Sequence, residues 1–141
     1  MKTVKLVFAL ALFFPVIIFA QPKGNMANKA AASNKIEAYY FHFTTRCETC
    51  RTVEAQTKLA IESLYPALLK DGEISFKTAN LDDASSKALA EKLKVSGQSL
   101  LLIKGDKQIN ITNEGFLYAV TNPAKFKSII KEKVDGLLDL Q

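Results

Sequence analysis

The sequence is poor in the residues that carry most enzyme chemistry. Its 141 residues include no Trp, one His (His42) and two cysteines. No G-x-G-x-x-G or G-x-x-x-x-G-K-[ST] run occurs, so no large flavin or dinucleotide site is expected, and no cofactor is assigned. No serine–histidine–acid arrangement is indicated. Zinc normally takes four ligands, and with His42 alone beside the two cysteines an intrachain zinc site is not expected and no metal ligand set is assigned. Excess charge of one sign is also scarce: 19 Lys and Arg oppose 14 Asp and Glu. Without Lys2 and Lys5 the net charge falls from +5 to +3. That is too mild and too evenly spread for a nucleic-acid stripe. The length leaves room for one core and no second enzyme domain. What is present, 48% hydrophobic and 23% charged residues with nine Phe, suits a foldable globular chain.

Lys2 and Lys5 precede Leu6 to Ala20, fifteen residues with no charge. The polar Gln21-Pro22-Lys23-Gly24 follows. A basic start, a short apolar run and a small residue at its end predict a secretory signal peptide over 1–20, cleaved after Ala20. Pro15 and the shortfall from about 20 apolar residues argue against a membrane span, although an uncleaved anchor is the competing reading. No cysteine follows the run, which leaves the lipoprotein route without support. The expected location is exported, periplasmic or secreted, where disulfides persist. After signal cleavage no membrane association is expected.

Residues 21–34 are small and polar and are expected to form a linker ahead of a single domain over 35–141. Ile36 to Phe43 reads as a strand. Val53, Thr57, Ala60, Ile61, Leu64 and Leu68 then mark a long amphipathic helix from Cys50 onward, broken or kinked at Pro66. Ile74 to Ala79 reads as a second strand. A shorter helix, capped by Asp82 or Asp83, is expected to stop near Gly97. Leu100–Lys104 and Gln108–Thr112 flank Gly105-Asp106 as a hairpin. Asn122-Pro123 starts a last helix, with Phe126, Ile129, Ile130, Val134, Leu137 and Leu138 on its apolar face. The order β-α-β-α-β-β-α predicts an α/β fold with a central mixed sheet of about four strands and helices on both faces.

Cys47-Glu48-Thr49-Cys50 stands where the first strand meets the long helix. Unpaired N–H groups at a helix start favour a thiolate there. A second cysteine one turn on can reach back and close a disulfide. Glu48 disfavours the Cys47 thiolate and Arg46 and Arg51 favour it, so side-chain charge leaves the net tuning open. Thr49 completes the intervening pair. His42 is either a packed strand histidine or a group that tunes a thiol.

Strand, C-x-x-C and helix in this order resemble the thioredoxin-like superfamily over roughly residues 36–139. The segment TANLDD is also similar to that family's strand-to-helix junction. More narrowly, YYFHFTTRCETC, SGQSLLLI and NEGFLYAV resemble small exported thioredoxin-like proteins of arsenic-resistance gene clusters. That ArsF-type family is labelled a nitrophenyl compound nitroreductase subunit. The resemblance implies exchange of disulfides with a partner protein, with Cys47 as nucleophile and Cys50 resolving. Three departures accompany it. Glu-Thr replaces Gly-Pro between the cysteines. Phe41 stands where thioredoxin has a buried Asp, with Thr78 at its lysine partner and Lys77 adjacent. Ser99 replaces the proline of the loop facing the dithiol, and the Gln98–Ser99 bond is expected to be trans. Two other readings stay open: a binding protein holding a soft metal or arsenite on the two sulfurs, and an adaptor whose disulfide is only structural.

Overall fold

The structure, a computed structural model, describes residues 34–139. The expected signal segment (1–20), linker residues 21–33 and residues 140–141 lie outside the described residues.

Four strands, β1 (Ile36–His42), β2 (Ile74–Asn80), β3 (Ser99–Lys104) and β4 (Lys107–Asn110), form one sheet in the order β2-β1-β3-β4. β1 runs parallel to β2 and antiparallel to β3, and β4 closes the hairpin on β3. The crossover from β1 to β2 contains α1 (Glu48–Leu64) and α2 (Pro66–Lys70). The expected break falls at Tyr65, because Pro66 cannot donate to the turn before it but suits a first helical position. α3 (Ala84–Lys92) lies between β2 and β3, and α4 (Thr112–Tyr118) and α5 (Pro123–Leu138) follow β4.

Alternation along β1 sorts the core into two layers. Ile36, Ala38 and Tyr40 face α1, α4 and α5, where they meet Val53, Ile61, Leu100, Leu102, Phe126, Ile130 and Val134. Phe41 faces the other way and packs with Ala79, Leu81, Leu101, Ile103 and Ala90 of α3. Helices therefore cover both faces of the mixed sheet. Burying each large aliphatic side chain contributes roughly 1.5–3 kcal/mol, and β3, paired on both edges, supplies four of them in a row, Leu100 to Ile103.

Three local expectations need correction. Strand β4 ends at Asn110, two residues before Thr112. The Asn110 side chain accepts from both the N–H and the hydroxyl of Thr112, turning the chain into α4, a helix absent from the sequence reading. α3 stops at Lys92, well before Gly97. Lys94 adopts the left-handed conformation (φ 56°), and Val95 N–H bonds back to Ala90 O, so a lysine occupies the usual glycine position. Finally, Asp83 sits at the N-cap of α3 but makes no side-chain cap bond, and Asp82 turns to the loop before α1 instead. Asn122 does cap α5, accepting from Lys125 N–H at 3.0 Å.

Candidate active site

After His42 the chain leaves the sheet through residues 43–46 and enters α1 with Cys47 as the N-cap (φ −71°, ψ 165°). Its Sγ accepts the Cys50 N–H at 3.1 Å, which satisfies one of the unpaired donors of the first turn. Cys47 and Cys50 form a disulfide with their Cα atoms 5.2 Å apart. The two residues are not equivalent: Cys47 is exposed, whereas Cys50, in the first turn of α1, is 3% exposed.

The loop carrying Cys47 is tied to the end of β2. Thr44 N–H donates to Asp82 Oδ2 at 2.8 Å, and Asn80 Nδ2 donates to Thr44 Oγ1 at 2.9 Å. Asn80 Oδ1 accepts from Asp82 N–H at 3.1 Å. The Thr44 backbone bond, then its side chain, holds the Asp82 carboxyl below its ordinary range. TANLDD thus serves as an anchor for the dithiol loop as well as the approach to α3.

The charged neighbours are largely occupied. Arg46, at the entrance to α1, pairs with Glu54 of that helix, so its charge is not directed at Cys47 alone. Arg51 is exposed and donates to the Arg46 carbonyl at 2.9 Å. Glu48 is exposed, and its carbonyl accepts from Thr52 Oγ1; Thr49 is half-buried in the first turn. His42 lies with its Nδ1 2.9 Å from Phe43 O, an arrangement that puts the proton on Nδ1 because a carbonyl only accepts. Its ring is 6.2 Å from that of Tyr40.

Ser99 opens β3 opposite Phe41, at the sheet end from which the dithiol loop departs. Its hydroxyl donates to Gly97 O at 3.0 Å, and Gln98 before it is half-buried. No cis peptide bond occurs among the described residues, so Gln98–Ser99 is trans.

Counting back six residues to find a group behind the dithiol reaches the wrong side of the sheet. Phe41 is in the α3 layer, and Lys77 is engaged on that same side with Glu37 at 2.5 Å and the Tyr39 hydroxyl at 3.3 Å. The side chain beneath α1 is Tyr40, whose hydroxyl donates to Cys50 O at 2.8 Å. Burial pushes this phenol up to about 12, with Glu54 adding to the shift and Arg46 opposing it. The available signal was the period-two pattern Ile36, Ala38, Tyr40, His42, which shares one face.

Shallow grooves flank this end of the molecule. One of about 290 Å³ is lined by Arg46, Arg51, Glu54, Ala55 and Lys58. Another, of about 190 Å³, includes Phe43, Leu81, Lys87 and Val95. Among the described residues no three His, Cys, Asp or Glu side chains converge on a point where a metal ion could sit.

No family model matches the chain, and no curated protein does. Among solved structures it is similar to oxidized thioredoxin O2 from Arabidopsis thaliana, with 19% identity over 70% of this chain and 75% of that one (TM-score 0.49). A malarial protein shares 15% identity over 70% and 96% of the two chains (TM-score 0.47). Fasciola hepatica thioredoxin shares 17% over 71% and 82% (TM-score 0.46). The thioredoxin-like arrangement of this chain rests on its own topology: sheet order β2-β1-β3-β4, one parallel crossover, and C-x-x-C at the start of the crossover helix.

Proposed function

We propose that the chain is an exported thiol–disulfide oxidoreductase that exchanges disulfides with a partner protein. The observation carrying this reading is the asymmetry of the pair, an exposed Cys47 capping α1 and a buried Cys50 one turn behind it. In the reducing direction the Cys47 thiolate attacks one sulfur of a partner disulfide. A Cys47–partner mixed disulfide forms and the other partner sulfur leaves as a thiolate. Cys50 then loses its proton and attacks Cys47 Sγ, releasing the second partner thiolate and closing Cys47–Cys50. Two electrons pass to the partner. The reverse steps oxidise a partner dithiol, with direction set by the two potentials.

The signal-like segment 1–20 supports export, and YYFHFTTRCETC supports kinship with the arsenic-resistance-cluster proteins. Equilibration in a glutathione series tests the chemistry. A reversible Cys47–Cys50 disulfide is expected, with a glutathione adduct accumulating at Cys47 in Cys50→Ser and little at the buried Cys50 in Cys47→Ser. If no reversible disulfide forms, the reading fails. Tight stoichiometric arsenite or Cu(I) binding lost in Cys47→Ser, without exchange activity, would replace it with a binding role. Partner binding that survives loss of both cysteines would replace it with an adaptor role.

A further inference from the structure

We infer that Tyr40 is a positioning residue for the resolving thiol: its hydroxyl fixes the Cys50 backbone to β1, and so sets how readily Cys50 closes on Cys47. The inference rests on the oxidoreductase reading above. Tyr40 is fully buried on the central strand, and its O–H···O bond of 2.8 Å ends on the carbonyl of the residue that bears the buried sulfur. That carbonyl lies in the first turns of α1 and has two lone pairs, one for the helix ladder and one for the phenol. The exposed sulfur is held from the other side, through Thr44 and Asp82. The sulfur-bearing turn is thus pinned to β1 beneath Cys50 and to the end of β2 ahead of Cys47.

Attack by Cys47 on a partner disulfide does not use the Cys50 sulfur, and the Cys50 N–H that faces Cys47 Sγ is carried by the helix turn itself. Resolution does use that sulfur, because it is an intramolecular reaction whose rate and equilibrium depend on how often the two sulfurs are in reach. Loosening Cys50 lowers that effective concentration. Burial keeps the phenol protonated far into alkali, so the donor is present at every working pH.

The test compares Tyr40→Phe with Tyr65→Phe in the full-length domain. Tyr65 also has a hydroxyl bound inside the fold, donating to Asp135 Oδ1 at 2.6 Å, but it lies at the far end of α1. In Tyr40→Phe the glutathione exchange equilibrium is expected to shift at least about threefold toward the dithiol, roughly 14 mV for a two-electron couple. The mixed disulfide is expected to live correspondingly longer, while its rate of formation at Cys47 stays that of the wild type. Tyr65→Phe should lower the urea midpoint and leave equilibrium and lifetime unchanged. A Tyr40→Phe protein that exchanges and resolves like the wild type overturns the inference, as does a Tyr65→Phe protein that moves both quantities equally. The wild type offers a check without any variant, since a slowly exchanging Tyr40 hydroxyl proton is expected by NMR in both redox states, and its absence overturns the inference. A wild type with no reversible disulfide defeats the oxidoreductase reading itself, which separates the two failures.

Discussion

Gly115→Ala should destabilise the protein, although alanine is the better helix former. Gly115 lies inside α4, where glycine costs about 0.8–1.0 kcal/mol relative to alanine. In open space the substitution would therefore stabilise. Here a Cβ would stand 3.0 Å from Val53 Cγ1 and 3.5 Å from Phe126 Cζ. The second contact is ordinary, but the first is about half an ångström or more inside a normal carbon–carbon separation. Val53 is fully buried in α1, and a β-branched side chain in a helix has one strongly preferred rotamer, so it cannot turn away. Either Val53 strains or α4 backs off from α1, at a cost of about 1–3 kcal/mol. Set against the helix gain, the net loss is about 1 kcal/mol. Gly136, in α5, has nothing within 4 Å of an added Cβ, so Gly136→Ala should gain up to about 1 kcal/mol. Urea unfolding of both variants reads the difference. The double variant Gly115→Ala/Val53→Ala, which removes the offending methyl, should show a favourable coupling of about 1 kcal/mol in a double-mutant cycle. A Gly115→Ala protein more stable than the wild type, with no coupling to Val53, would refute the close approach of α4 to α1.

Lys94→Gly should stabilise by about 0.5–1 kcal/mol, read as a higher urea midpoint, because Lys94 is exposed and holds a left-handed conformation (φ 56°) that glycine adopts without strain. Asp82→Asn probes pH: a carboxyl held below its ordinary 3.8 contributes stability that is present above that value and lost as pH falls through the lower folded value. The wild-type advantage over Asp82→Asn should be full near neutrality, shrink as pH falls below 3.8 and vanish only below the lower folded value, and an advantage that does not shrink in acid would contradict the Thr44 tie. Phe126→Ala empties a fully buried site between α5 and the sheet and should cost about 3–5 kcal/mol in chemical unfolding. A loss under about 1 kcal/mol would mean that the layer collapses around the gap.

The large elements were readable because their signals are physical and repeated. Alternation marked the strands, the three-and-four spacing from Val53 to Leu64 marked α1, and Asn122-Pro123 marked the start of α5. α4 was hidden because its seven residues carry only Gly115 fully buried and its start depends on the Asn110 side chain capturing Thr112. The end of α3 was placed too late because the stop signal sought was glycine, and the chain used a lysine. Tyr40 was hidden for a different reason. Counting back from Cys47 assumes a fixed loop length, and an error of one residue in a strand moves every side chain to the opposite face. Phe41 and Tyr40 exchange layers on that single step.

The tuning of Cys47 could not be signed from the sequence, and the structure shows why side-chain charge was the wrong quantity to sum. Arg46 spends its charge on Glu54, Arg51 is solvated, and Glu48 is solvated. Two unit charges at 4 Å in bulk water interact by only about 1 kcal/mol, and salt lowers that further. The groups fixed in direction are on the backbone: the Cys50 N–H, 3.1 Å from Cys47 Sγ, and the partial positive charge of a 17-residue helix behind it. These cannot swing away from the sulfur as long as the first turn is intact. The loop that leads Cys47 into that turn is held by Asp82 through the Thr44 N–H. In this chain the side-chain charges of Arg46 and Arg51 therefore matter less to the exposed sulfur than the backbone of the first turn and the Asp82 tie ahead of it.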